Sequence, residues 1–156
     1  MLKINLICMG DIKENYLKDA IKEYQKRLSR FANLQIVELK ENNPKSDGTK
    51  DILLALKKDA EEIKKHIKGY AICLDIDAKQ FSSEEFADKI KSISLKSGEI
   101  SFIIGASNGI DEEIKQMCKE KISFSKMTFP HQLMRVIFLE QLYRAFTINN
   151  NISYHK

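Results

Sequence analysis

No apolar run in this chain approaches the roughly 18 residues needed to cross a bilayer. The opening residues Leu2, Ile4, Leu6 and Ile7 have charge on both sides and lack the long apolar core and cleavage site of a secretory leader. The expectation is a soluble, cytoplasmic protein with no membrane partner. Cysteine is scarce. Cys8, Cys73 and Cys118 are odd in number and widely spaced, and the first two sit in apolar strand-like runs, a pattern of reduced, buried thiols and not of a disulfide framework. No CxxC or HxxxH spacing occurs, and His66, His131 and His155 are scattered, so no structural metal is expected. Neither the GxGxxG turn of dinucleotide folds nor the GxxxxGK phosphate loop is present, which removes support for an NAD- or ATP-dependent enzyme. Internal repeats, low-complexity tracts and linkers are missing as well.

What is there describes an ordinary globular chain. Its 156 residues suit one domain large enough to bury a core, with 43% hydrophobic and 31% charged residues. A net charge of +4 and a pI near 8.8 permit a polyanionic partner without requiring one.

Hydrophobic periodicity alternates between strands and helices. Strands are expected over Leu2–Met9, Leu34–Leu39, Tyr70–Ile76, Ile100–Ile104 and, briefly, Lys121–Phe124. Helices are expected over Tyr16–Leu28, Lys50–Lys68, from Ser82 to about Leu95, Asp111–Lys119 and from Pro130 to about Asn149. Ser82 with Glu85 three residues on is a capping-box signature, and Pro130 suits the first helical position, where its missing N–H costs nothing. The polar stretch Lys40–Gly48 is a loop, where mobility is expected. This order predicts an α/β fold, a single domain over residues 1–156 with a mostly parallel sheet flanked by helices. On the helix over Lys50–Lys68, Ile52, Leu53, Leu56, Ala60, Ile63 and Ile67 form the inward stripe. Its lysines and glutamates are interleaved, so they read as a solvated face with no functional role.

Three features of the last third carry chemistry. The run Ser101-Phe-Ile-Ile-Gly105-Ala-Ser-Asn-Gly109 is an apolar strand entering a glycine turn, the place where parallel α/β sheets bind ligands, although a plain strand-to-helix turn would look the same. In Ser123-Phe-Ser-Lys-Met-Thr-Phe-Pro-His131, small hydroxyl residues alternate with large apolar ones. Such a loop can hold an adenine by stacking and main-chain hydrogen bonds, or can simply be a buried connection. The final helix is apolar nearly all round, so it is buried on most sides, against another subunit or under the sheet. Glu140 and Arg144 are spaced for an intrahelical ion pair, and His131 and Arg135 are spaced to face one site. The tail Ile152-Ser-Tyr-His-Lys156 frays unless tied down, and its aromatic, imidazole and cation suit a contact with RNA.

Taken together, Phe102-Ile-Ile-Gly105-Ala-Ser-Asn-Gly109, Phe124-Ser-Lys-Met-Thr-Phe-Pro-His-Gln132, Arg135, Glu140-Gln-Leu-Tyr-Arg-Ala-Phe146 and Tyr154-His-Lys156 resemble the bacterial ribosomal RNA large subunit pseudouridine N3-methyltransferases of the SPOUT class. The resemblance extends over essentially the whole chain. It implies a C-terminal deep trefoil knot, a homodimer, and S-adenosylmethionine as methyl donor, bound by Leu74, Gly105, Phe124, Ser125, Lys126, Met127, Thr128 and Phe129. Ala106 stands where many relatives carry a second glycine. The implied substrate is a pseudouridine in a hairpin loop of 23S ribosomal RNA, methylated at N3 on the assembled ribosome. Arg144, Tyr154 and His155 are the expected substrate-side cluster, with His155 the candidate base and His131 the second choice. Lys3, Lys13, Lys18, Lys22 and Lys26 are candidates for salt-sensitive phosphate contacts. Two competing readings fit the same residues: a ribosome-binding protein without catalysis, which would not bind S-adenosylmethionine, and a methyltransferase of the same class acting on another RNA.

Overall fold

Alternation along β1 (Leu2–Met9) divides the interior into two cores. Successive side chains of a strand point to opposite faces of its sheet. Ile4, Leu6 and Cys8 therefore enter one cluster while Ile7 and Met9 enter another. The computed structural model describes every residue from Met1 to Lys156.

Five strands form one parallel sheet in the order β2-β1-β4-β3-β5, with β2 at Ala32–Leu39, β3 at Tyr70–Leu74, β4 at Glu99–Ile104 and β5 at Glu120–Ile122. Parallel neighbours need crossovers, and helices supply them. On one face, α1 (Asn15–Leu28) and α3 (Ser83–Ser94) flank α5 (His131–Asn149), and Leu28, Phe86, Ile90, Phe138 and Leu142 pack against Ile4, Phe102 and Ile122. On the other face, Ala60 and Ile63 of α2 (Thr49–Lys64) and Ile114 of α4 (Glu112–Met117) pack against Ile7, Cys73 and Ile103. The result is one three-layer α/β domain. No helix is long and apolar enough to cross a membrane, and all three cysteines are free.

Several expectations shift once packing is visible. The final helix begins at His131. Pro130 precedes it as the N-cap in an extended conformation (ψ 137°), and its carbonyl accepts from Met134 N–H at 2.9 Å. The last strand ends at Ile122, which frees Phe124 to join the loop beyond it. On α2 the inward stripe includes Ala55 and Asp59 while Leu53 is half exposed. Asp59 is buried because its Oδ1 accepts from both the backbone N–H and the side-chain amide of Asn42, at 2.9 and 2.8 Å. Those two bonds tie down the loop expected to be the most mobile. The interleaved charges of α2 do form local pairs, Lys64 with Glu61 and Lys65 with Glu62. The apolar girth of α5 is covered chiefly within the chain, by the sheet below and by α1 and α3 on either side.

Candidate functional site

Three strands, β3, β4 and β5, end side by side, at Leu74, Ile104 and Ile122. Beyond them lies a cavity of about 860 Å³, in the position where open parallel sheets bind ligands. Its floor and walls come from three chain segments: Leu74–Asp77 after β3, Ile104–Ile110 after β4, and the loop from Ser123 to Pro130 that leads into α5.

The turn after β4 is built on two glycines for different reasons. Gly109 has φ +92°, a conformation that side chains rarely adopt, and its N–H donates to the carbonyl of Ala106 at 2.9 Å. Gly105 is needed for space, since a Cβ there would collide with the Gly109 carbonyl and lie 2.6 Å from Ile110 Cγ1. Ala106 has no positive φ, so the methyl group at this position fits the turn.

The loop after β5 is held at its start and left open along its length. Ser123 N–H donates to the Lys79 carbonyl at 3.0 Å, Ser123 Oγ donates to the Ser125 carbonyl at 3.1 Å, and Ser125 Oγ accepts from Met127 N–H at 3.0 Å. Phe124 is wedged against Phe86 and Phe138, with ring centroids 5.8 and 6.0 Å apart. The backbone N–H groups of Phe124, Ser125, Lys126, Thr128 and Phe129 spend no hydrogen bond within the chain. Of the residues expected at the donor pocket, Leu74, Gly105, Phe124, Ser125, Met127, Thr128 and Phe129 all line the cavity, whereas Lys126 is exposed and does not line it.

Charged lining residues escaped the reading of the sequence. Asp75 and Asp77 directly follow β3, and Lys115 of α4 reaches Asp75 at 3.3 Å. Their signal was positional, as carboxylates placed at the exit of an apolar strand face the ligand side of such a sheet. His131 also lines the cavity and lies 3.8 Å from Glu41. Arg135, expected to share a site with it, is instead a buried anchor. Only 1% exposed, its guanidinium donates to Glu38 at 2.7 Å and to the carbonyls of Met9 and Gly10 at 2.9 and 2.6 Å, fastening α5 to the ends of β1 and β2.

The second group of expected residues assembles at the far end of α5. Arg144 donates twice to Glu140 Oε1, from Nε at 3.1 Å and NH2 at 2.6 Å, and its NH1 meets His155 Nδ1 at 3.1 Å. Tyr154 O–H donates to the same Glu140 oxygen at 3.1 Å, and the Arg144 guanidinium lies 4.8 Å above the Tyr154 ring. Burial, helped by Glu140, pushes the Tyr154 phenol up to about 12. The tail is thus tied down. Arg144, Tyr154 and His155 stand together but none lines the cavity. Arg144 lies 13 residues beyond His131, about 20 Å along the helix at ~1.5 Å per residue. Between these two ends a recess of about 250 Å³ opens against the loop's other side, walled by Phe81, Phe86, Phe129, Ile137, Ser83 and Gln141.

A family model described as Predicted SPOUT methyltransferase matches residues 2–155. A "Ribosomal RNA large subunit methyltransferase H" of Caldicellulosiruptor saccharolyticus is 48% identical over 155 residues, covering 98% of this chain and 99% of the relative. Its namesake in Clostridium novyi is 49% identical over 159 residues, covering 99% of this chain and all of the relative. Among solved structures, a probable methylase family protein from Haemophilus influenzae Rd KW20 matches 98% of this chain and 70% of its own with a TM-score of 0.57; at 16% identity the match speaks for the fold alone.

Proposed function

Because the chain belongs to the SPOUT methyltransferase family, we propose that it methylates large-subunit ribosomal RNA in the cytoplasm with S-adenosylmethionine as donor, at N3 of a pseudouridine in a hairpin loop of 23S RNA on the assembled ribosome. The observation that carries the donor assignment is the row of unspent backbone N–H groups along residues 124–129, set beside apolar walls at the ends of three strands. An adenine edge and a ribose require such main-chain donors, nearby carboxylates such as Asp75 and Asp77, and flat apolar cover. The residues therefore fit the donor. Bound there, S-adenosylmethionine supplies a methyl group on a positively charged sulfur.

This chain's residues then have two tasks. Leu74, Gly105 and the loop 124–129 orient the donor and exclude water from one side of it, which converts an encounter into an aligned in-line attack. Arg144, Tyr154 and His155 take the RNA: Arg144 faces a phosphate or the imide oxygen, Tyr154 offers a ring for stacking, and His155 accepts the N3 proton. The separation of cavity and cluster within one chain supports a homodimer in which one protomer's cluster faces its partner's cavity. The family's deep trefoil knot, formed by threading of the C-terminal region, belongs to the same proposal.

The test is transfer of tritiated methyl from S-adenosylmethionine to ribosomes from a strain lacking the enzyme, followed by mapping of the label. The expected result is label at one pseudouridine of the large subunit. Label on another RNA would overturn the substrate, and no label with undiminished donor binding would overturn the enzymatic reading.

A further inference from the structure

We propose that Glu84, in the first turn of α3, is a positioning residue that fixes the tautomer of His155 and makes Nδ1 its basic atom. The proposal rests on reading His155 as the proton acceptor. Glu84 Oε1 lies 2.7 Å from His155 Nε2, while Arg144 NH1 lies 3.1 Å from Nδ1 on the other side of the ring.

The two contacts decide where the imidazole proton sits. A guanidinium has donors only, so the nitrogen that faces Arg144 presents its lone pair. The proton of the neutral ring is then on Nε2, where it donates to the Glu84 carboxylate. The hydrogen bond from His155 is the largest of the causes that hold the Glu84 carboxyl below the usual range, the sign of an ionised acceptor. A ring held this way resembles in logic the carboxylate-oriented histidines of general-base sites, where the third group sets orientation and supports the imidazolium that forms.

Glu84 is itself well placed to hold still. Ser82 caps α3 by accepting from Glu85 N–H at 3.0 Å while Glu85 returns a bond to Ser82 N–H, and Ser83 donates to Gln141 of α5 at 2.8 Å. The turn that carries Glu84 is therefore braced within α3 by the capping box and joined, through Ser83 and Gln141, to the helix that carries Arg144.

Of the two ring contacts, only the one at Nδ1 is exchangeable in the reaction. Arg144 leaves it when an anionic group of the RNA competes for the guanidinium, and the lone pair then faces the substrate. As the N3 electron pair forms the new nitrogen–carbon bond, the N3 proton passes to Nδ1, and the electrons of the broken carbon–sulfur bond stay on the departing thioether. Nε2–H remains on Glu84 throughout, so the new positive charge on the ring forms next to a carboxylate.

The experiment combines a spectrum with a rate. The chain has three histidines, so the His155 ring is assigned in a long-range proton–nitrogen correlation spectrum by its loss in His155→Ala. The expected result for the full-length protein is the Nε2–H form. Glu84→Gln, which keeps an acceptor oxygen, retains that form. Glu84→Ala removes the acceptor that holds the Nε2 side of the ring, so the imidazole is free to turn away from Arg144 and gives a mixture of tautomers. Its single-turnover methylation of ribosomes falls about tenfold or more, with donor affinity measured by calorimetry unchanged. Glu84→Gln falls between, having lost the charge alone. An unaltered tautomer in Glu84→Ala, or an altered tautomer with an unaltered rate, overturns the role of Glu84. If His155→Ala methylates at the full rate, the base assignment itself is overturned, whereas a rate lost in His155→Ala and kept in Glu84→Ala rejects Glu84 alone.

Discussion

Replacing Gly105 by alanine separates the packing of the glycine turn from its dihedral strain. The added Cβ would lie 2.6 Å from Ile110 Cγ1 and 2.7 Å from the Gly109 carbonyl carbon, against about 3.5–4.0 Å for a relaxed carbon contact. Roughly 1 Å of movement is therefore required. Ile110 is 6% exposed and cannot swing into solvent, and the second obstacle is backbone. Overpacking of this kind costs about 1–3 kcal/mol, so taking about 2 kcal/mol, the melting temperature of a domain this size falls by about 4–8 °C. The shift also pushes residues 105–110 into the cavity they line, so affinity for S-adenosylmethionine falls with stability. Gly109→Ala is the control. Its Cβ meets nothing within 4 Å, but φ is +92°, so it pays only for the dihedral, about 1–2 kcal/mol. Scanning calorimetry with and without donor reads both quantities. A Gly105→Ala protein that melts with the wild type would refute the steric argument, and one that is destabilised yet binds donor with unchanged affinity would refute the placement of the donor against this turn.

Arg135→Met leaves the Met9 and Gly10 carbonyls and Glu38 without their shared donor and is expected to cost about 3–5 kcal/mol in urea denaturation; Arg135→Lys recovers little, because one ammonium cannot span three acceptors. Stability should also fall at alkaline pH, since burial pushes the Cys8 thiol up to about 12 and the Tyr154 phenol to about 12. Both folded values lie above the unfolded ones of about 8.5 and 10, so this contribution is complete below pH ~8.5 and is lost as pH rises toward 12; denaturation curves at stepped pH check it, and Cys8→Ala should flatten the lower part of the decline. If cavity and cluster meet across a dimer, mixing a donor-defective protein with Arg144→Ala in equal amounts should restore about a quarter of wild-type activity, because half the dimers are mixed and each has one intact pair. No restoration after verified subunit exchange would place both halves of the site in one chain.

The layers of this fold were legible because each strand and helix announces its own period. Ile4, Leu6 and Cys8 against Ile7 and Met9 already describe a sheet covered on both faces, and the capping box of Ser82 and Glu85 appears in the structure bond for bond. Ambiguity gathered where a residue's role is set by partners distant in sequence. Asp59 is absent from the inward stripe expected of its helix, and it is buried because Asn42, 17 residues away, folds over it. Arg135 read as a site residue because its spacing from His131 is helical, but its acceptors are on β1 and β2, more than 90 residues upstream. Glu84 carries no local signal at all, since its only marked partner is the penultimate residue of the chain.

The two ends of α5 show why so much chemistry depends on one helix. At its start, Arg135 fastens it to the exits of β1 and β2, and His131 and Met134 complete the cavity wall. Along its middle, Phe138 and Leu142 are fully buried against the sheet, so the helix cannot slide without opening the core. At its far end, Glu140 and Arg144 gather the tail. A rigid rod with one end at the cavity proposed for the donor and the other at the cluster proposed for the RNA fixes the distance between them, about 20 Å along its axis. Methyl transfer needs reacting atoms about 3–3.5 Å apart, so this rod cannot serve both ends of one reaction by itself. Either the RNA bridges the span through the recess at Phe129, Ile137 and Gln141, or a second copy, reversed in direction, brings its own far end to the first one's cavity. The second arrangement uses the rigidity of α5 to align the reactants, whereas the first asks a flexible nucleotide to do so, which is why the dimer is the stronger reading.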